Sequence, residues 1–261
     1  MNLSDVFYTY AKSVVPIGWA YHGDINQMPI PRNMLLEARH EGLPINIFPC
    51  ATAFLVSIDY DRTRFVTANH AFPDLQRDNA EVCVIVPDFM KCPFEVSQDD
   101  LVPYLGVIDF VRLEDQDICI FDVNTPETLY TQQPTPLTLS CDRRVGDEVC
   151  TIGYPFIGYE GRFTEGRRDV RFVERLTYAH LSAIWPDRGT LTLEFDNYVG
   201  PGNSGGPLIN IRTGATIGVV TWSRVEEHGI TTFSHASCIA ELEQARDRFP
   251  DLPEIKHKPT G

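Results

Sequence analysis

No run among the 261 residues is long and apolar enough to cross a bilayer as a helix, so a membrane-spanning helix is excluded. Basic charge is scarce as well: 22 Lys and Arg stand against 36 Asp and Glu, for a formal net charge of -14. Nucleic acids and anionic membranes are held by clustered Lys and Arg, so neither is an expected partner. The first residues, MNLSDVFYTYAKSVVPIGWAY, lack the basic start, continuous apolar stretch and small-residue cleavage site of a secretory signal. The expectation is a cytoplasmic protein. The seven cysteines (Cys50, Cys83, Cys92, Cys119, Cys141, Cys150 and Cys238) are odd in number and form no CxxC pair. That argues against a structural zinc site and for buried thiols in a reducing compartment. Internal repeats and low-complexity segments are absent too.

What is present looks like strands. Short apolar runs separated by turn residues fill the chain: ATAFLVSI (51–58), RFVTA (64–68), EVCVIV (81–86), LGVIDFVRL (105–113), DICIFDV (117–123), EVCTIGY (148–154), TLTLEF (190–195) and ATIGVVTW (215–222). They are rich in β-branched and aromatic residues, the pattern of an all-β protein. Helical patterns are few. IPRNMLLEARHEGL (30–43) has a helical core ending near Gly42. SHASCIAELEQARDRF (234–249) sets Ile239, Leu242, Ala245 and Phe249 near one face before Pro250. From Asn124 to Thr138 the sequence turns to Thr, Pro and Gln without apolar periodicity, which marks a boundary between halves. The expected fold is therefore two antiparallel β-barrels, residues 1–128 and 129–250, closed by a C-terminal helix and followed by a frayed tail over 251–261.

One stretch is crowded with glycine. NYVGPGNSGGPL sets Gly200, Gly202, Gly205 and Gly206 around a single serine, Ser204. Glycine is used where the backbone takes a conformation that a side chain forbids. Here the crowding implies N–H groups aimed at something beside the hydroxyl. A serine hydroxyl needs an adjacent base, itself oriented by a third group, and acyl transfer needs donors at the developing oxyanion. Of seven histidines, His22, His40, His228, His235 and His257 lie in loop-like or terminal contexts and His180 on a candidate strand; His70 follows directly from a strand in RFVTANHAF. Asp117 opens the apolar strand of DQDICIF, with Asp115 and Asp122 as alternatives.

These islands resemble the chymotrypsin-like (trypsin-fold) serine proteases. GNSGGPL is similar to that family's nucleophile motif, FVTANHAF to its VLTAAH histidine segment and DICIFDV to its DIALLKL aspartate segment, in the family's order His, Asp, Ser. VCTIGYPF and NYVGPGNSGGPLIN look most like the Deg-type (HtrA) branch, with its AIGNPFG and AINPGNSGGPL. The resemblance runs over about residues 10–245, with strong identity only in these islands. It implies Ser204 as nucleophile, His70 as base and then acid, Asp117 as the group that orients it, and the N–H groups of Gly202 and Ser204 as the oxyanion hole. VVTWS resembles the substrate-pairing IVSWG strand. It implies Thr221 beside the aspartate, Trp222 and Ser223 at the mouth of the specificity pocket, Tyr198 at its base and Gly229 on the opposite wall. Tyr198 in place of an acid, with Ser223 in place of a glycine, implies cleavage after small or medium apolar residues.

Two departures bear on control. Asn203 stands where digestive proteases carry the Asp that pairs with a freed N-terminus, so activation by that ion pair is not expected. The peptide-binding (PDZ) domain that Deg-type proteases append finds no room in these residues. Control then falls to loops, oligomerisation or a protein partner. GYEGRFTEGRRDVRFVERL (158–176), with Arg162, Arg167, Arg168 and Arg171, is the candidate regulatory or partner-binding loop. The resemblance thus implies a serine endopeptidase acting on protein or peptide through an acyl-enzyme, with no metal and no cofactor. The alternative, a catalytically silent protease-fold interaction module, usually loses a triad residue or the glycine before the serine; this chain retains all four.

Overall fold

The computed structural model describes residues 1–21, 36–40, 43–72, 80–85, 94–97, 104–125, 134–155, 169–172, 174–187, 189–225 and 231–257. The first half forms β1 (Val14–Tyr21), β2 (Leu36–His40), β3 (Leu43–Ile58), β4 (Arg62–Ala68), β5 (Ala80–Ile85), β6 (Phe94–Ser97), β7 (Tyr104–Leu113) and β8 (Ile118–Asn124). Among the described residues, β1-β5-β7-β8-β4-β3 closes on itself through β1–β3 pairing, and β2 extends the sheet beyond β3. The second half forms β9 (Leu139–Ser140), β10 (Glu148–Gly153), β11 (Asp169–Phe172), β12 (Arg175–Asp187), β13 (Thr190–Phe195), β14 (Pro207–Asn210), β15 (Ala215–Val225), β16 (Thr231–Cys238) and β17 (Ile255–Lys256). There β14-β10-β12-β13-β16-β15 closes through β14–β15 pairing, and β9 and β17 attach beyond β15. The expected fold class is what is found: two closed six-stranded antiparallel barrels. A separate two-stranded sheet pairs β6 of the first half with β11 of the second.

The strands that carry the site are covered on both faces. On β8, Cys119, Phe121 and Val123 fill the first barrel with Phe65, whose ring stacks on Phe121 at 5.6 Å. The alternate residues Ile118 and Ile120 join a second core shared with Phe54, Val66, Ile152, Tyr154 and Val219 from both halves. Two buried faces explain why these runs are continuously apolar rather than alternating. Val149, Leu181, Leu193, Phe195, Ile217 and Ala236 fill the second barrel. Burying each of the larger side chains contributes about 1.5–3 kcal/mol. Before β1, the helix α1 (Leu3–Tyr10) starts in a capping box of Asn2 and Asp5 and buries Val6 and Tyr10 in the shared core.

Three expectations are corrected. Residues 36–40, read as helix, are strand β2, paired from Leu36↔Ile47 to His40↔Leu43. Helix propensity is a weak prior that ladder pairing overrides. The C-terminal helix begins later than expected. Ser234–Cys238 still belongs to β16, and the helical turn is a 3₁₀ segment, Ile239–Ala245. Its apolar residues 239, 242 and 245 recur every three, the 3₁₀ period. The tail is anchored at residues 251–256: Leu252 and Ile255 are buried, and Ile255 and Lys256 pair with Leu139 and Ser140. Asp251 meets Arg64 Nη1 at 2.5 Å, while Nε and Nη2 of Arg64 grip the fully buried Asp122 at 2.8 and 2.9 Å. The Arg64 guanidinium also lies over the ring of Phe249, 4.2 Å from its centre.

Candidate active site

Pairing of β4 with β8 ends at Ala68↔Ile118. In an antiparallel pair the residues just past one strand therefore neighbour those just before the other, which brings His70 to Asp117. His70 sits in a 3₁₀ turn, Asn69–Ala71. Asp117 takes a left-handed backbone (φ 51°, ψ 41°), alone in positive φ among the described non-glycine residues. That conformation is uncommon for a side chain, and here it aims the carboxylate. Asp117 Oδ2 lies 2.8 Å from His70 Nδ1, Oδ1 accepts the His70 backbone N–H at 2.9 Å, and the Asp117 carbonyl accepts from Asn69 N at 3.0 Å. The alternative acids are placed otherwise. Asp122 is committed to Arg64, and Asp115 is exposed in the preceding 3₁₀ turn.

Ser204 lies in the turn between β13 and β14. The turn is pinned to β15 by Gly205 N–H donating to Val220 O (2.7 Å) and Val220 N–H to Gly206 O (2.9 Å). It is pinned to the first barrel through Thr52 of β3, whose N–H donates to Ser204 O at 2.9 Å and whose Oγ1 donates to Gly202 O at 2.6 Å. Asn203 is buried and holds the turn from within, its Nδ2 donating to Gly200 O at 3.0 Å. Gly202 (φ 94°) and Gly205 (φ 85°) take the conformations that the glycine crowding implied. Among the described residues, the N–H groups of Gly202 and Ser204 donate to no protein acceptor. The Ser204 hydroxyl donates to Thr221 O at 3.2 Å and makes no hydrogen bond to His70.

His70, Ser204, Tyr198, Thr221, Trp222 and Ser223 line one cleft of about 400 Å³, with Val199, Gly200, Pro201 and Val220 completing it. Among the described residues, His70 is the sole acidic or basic side chain lining it. The Ser223 hydroxyl donates to Val199 O (2.8 Å) and lies 2.8 Å from Ser234 Oγ, which accepts from Val199 N (3.0 Å). These bonds clasp the 198–200 segment onto β15 and β16. Gly229, Arg162, Arg167 and Arg168 lie outside the described residues; Arg171 stands on β11 opposite Glu95 of β6. The sequence reading missed Thr52, Ser234 and His235. His235 is buried on β16 against Trp222 rather than in a loop, and only the weak alternation of TTFSHASC signals it. The six described cysteines are free, and burial pushes the Cys50 and Cys150 thiols up to about 12.

Two antiparallel barrels with a histidine–aspartate pair facing a glycine-framed serine across the cleft define the two-barrel class of serine hydrolase folds. The sequence pattern of the trypsin-like peptidase domain matches residues 51–219, more than half of the chain. The chain belongs to the trypsin-like peptidase family. HhoA of Synechocystis sp., described as a serine protease, is 35% identical over 95 residues, 36% of this chain and 22% of its own length. Protease Do-like 2 of Arabidopsis thaliana, a chloroplast protein, is 35% identical over 109 residues, 42% of this chain and 16% of its own. The match thus spans less than a quarter of either relative. Among solved structures, the HtrA-type protease AlgW with a decapeptide superposes with a TM-score of 0.61 at 16% identity, covering 96% of this chain and 68% of that one. The thermostable serine protease AL20 gives 0.52 at 12% identity, covering 89% and 95%. An HtrA-type protease and a Do-like protease are thus among the proteins that this chain resembles.

Proposed function

We propose that the chain is a serine endopeptidase that cleaves peptide bonds through an acyl-enzyme, with Ser204, His70 and Asp117 as its triad. The observation that carries this reading is the two-point grip of Asp117 on His70, through ring and backbone, at the edge of the cleft that also holds Ser204. With Nδ1–H given to the carboxylate, Nε2 is left to act as the base. Rotation of the Ser204 hydroxyl from Thr221 O to His70 readies it for attack; such bonds are commonly loose before substrate arrives. The unpaired N–H groups of Gly202 and Ser204 receive the oxyanion, each worth about 3 kcal/mol in the transition state. His70 then protonates the leaving amine, and water releases the acyl group by the same route.

Beyond Val219 the β15 edge away from β16 pairs with no strand among the described residues. An extended peptide adds there as a further strand. The apolar and uncharged lining that the described residues provide beside His70, with the Ser223 clasp, supports small or medium apolar side chains before the scissile bond. Pairing of β11 with β6 supports a regulatory role for the arginine-rich segment, since it ties that segment to the first half. The silent-module alternative is not favoured, because all four motif positions are retained. The test is a fluorophosphonate probe read by intact mass. One adduct per chain that vanishes in Ser204→Ala supports the reading; no adduct on the folded protein, or an adduct surviving the substitution, overturns it.

A further inference from the structure

Trp222 lies in the cleft with 49% of its surface exposed. An indole so exposed is free to swing unless something beneath it fixes its plane. His235 lies beneath it, ring centroids 3.8 Å apart and planes at 88°. His235 is 3% exposed and also meets the Trp185 ring, with centroids 5.3 Å apart and planes at 88°. Its Nε2 stands 3.5 Å from Glu194 Oε2, and the other oxygen of that carboxylate accepts from Ser182 Oγ at 3.0 Å. The row Trp185, Glu194, His235, Trp222 crosses the adjacent strands β12, β13, β16 and β15, with His235 directly opposite both Glu194 and Trp222.

The row exists because of one extra residue. Val220 is opposite Ala236 and Trp222 opposite His235, so Thr221 is a bulge with no partner of its own. A regular ladder would set Thr221 against His235 and turn Trp222 to the opposite face, since a one-residue slip inverts every side chain. The bulge also turns the Thr221 carbonyl to Ser204. Burying a histidine with a carboxylate is expensive unless the pair is held by further polar contacts; an aliphatic residue would fill the same space without them. What the polar pair adds is direction.

We propose that His235, steered by Glu194, is a positioning residue. It holds the Trp222 indole as a fixed wall for substrate side chains on the N-terminal side of the scissile bond, and so sets a preference for extended peptides with apolar residues there. This rests on the peptidase reading above. The wall acts on the length of the substrate and not on the chemistry at Ser204, which separates the two claims. Two thiobenzyl esters with the same reacting residue, acetyl-Val and acetyl-Leu-Ala-Leu-Val, differ only in upstream residues.

In His235→Ala the ratio of kcat/KM for the long ester to that for the short one falls about tenfold, while the short ester and the fluorophosphonate rate stay within about twofold of wild type. An unchanged ratio, or an equal loss on both esters, overturns the proposal. If His235→Ala does not fold by circular dichroism, Glu194→Gln is read the same way, with a fall of about threefold expected and no change overturning the idea. Should the wild type neither label nor cleave, the peptidase reading falls. Titration calorimetry of acetyl-Leu-Ala-Leu-Val amide then still decides the wall: weaker binding to the Glu194→Gln protein supports it, and equal binding overturns it.

Discussion

Replacing Gly205 by alanine, the smallest change available at the Ser204 turn, is expected to cost both stability and reactivity. Gly205 has φ 85°, and a Cβ there would lie inside van der Waals contact of Thr67 Oγ1 and Thr52 O and 2.8 Å from Ala68 N. Two of these atoms are backbone, and Thr67 Oγ1 is itself held by its bond to Thr52 O (2.7 Å), so none moves cheaply. Gly146 is the matched control, with φ 90° and nothing within 4 Å of its would-be Cβ. Gly146→Ala therefore reads the backbone penalty alone, about 1–2 kcal/mol. Gly205→Ala adds the overlap of an overfilled core, about 1–3 kcal/mol more, with the backbone atoms pushing it to the upper end. At about 2–4 °C per kcal/mol, calorimetry should find Tm lowered by about 10 °C in Gly205→Ala and by about 4 °C in Gly146→Ala. At a temperature where both are folded, displacement of the turn by about an ångström slows fluorophosphonate labelling of Gly205→Ala about a hundredfold. Labelling of Gly146→Ala keeps the wild-type rate. Equal Tm values, or wild-type labelling of Gly205→Ala, would refute the reasoning.

Ser223→Gly removes the clasp on Val199 O and Ser234, and should raise kcat/KM for a Phe substrate relative to a Val one about tenfold; an unchanged ratio in paired peptide assays contradicts the assigned wall. Arg64→Met leaves the fully buried Asp122 with only the longer Arg62 contact at 3.9 Å, at about 3–5 kcal/mol in urea melts. Adding Asp122→Leu should recover most of that loss, and a double variant no more stable than the single counts against a buried-charge origin. Burial alone would raise the Asp251 carboxyl, but its bond to Arg64 and the charges of Arg64 and Arg62 outweigh it and hold the group below its ordinary 3.8. The unfolded chain then binds the proton first, so this contribution is complete above that value and fades as pH falls through the folded pKa. Asp251→Asn should flatten the acid limb of a plot of Tm against pH, and an unaltered limb shows the ion pair to be irrelevant to it.

The two barrels and the turn around Ser204 were legible because local chemistry specifies them: β-branched runs, and glycines at positive φ beside Ser204. The partnership of His70 with Asp117 was legible only through resemblance, since the register Ala68↔Ile118 that makes them neighbours is a tertiary fact. Residues 34–39 carry good helix formers, yet 36–40 pair with β3; propensity lost to a ladder that no local window contains. The bulge at Thr221 leaves no mark in VVTWS, a smooth strand on paper. His235 was passed over because a buried histidine is recognised by what covers it, and Trp185, Glu194 and Trp222 come from three other strands.

Thr52 has a consequence for timing. The turn around Ser204 is fastened by a residue made 150 positions earlier, and the other fastenings come from β15, which is made later still. Chains emerge from the ribosome N-terminus first, and domains fold as units. The growing chain therefore displays His70 and Asp117 long before a serine is set beside them, and Ser204 itself leaves the ribosome before β15 can hold it. An unfinished chain thus carries His70 and Asp117 without a held Ser204 turn, and the proposed triad is complete only when the last barrel shuts.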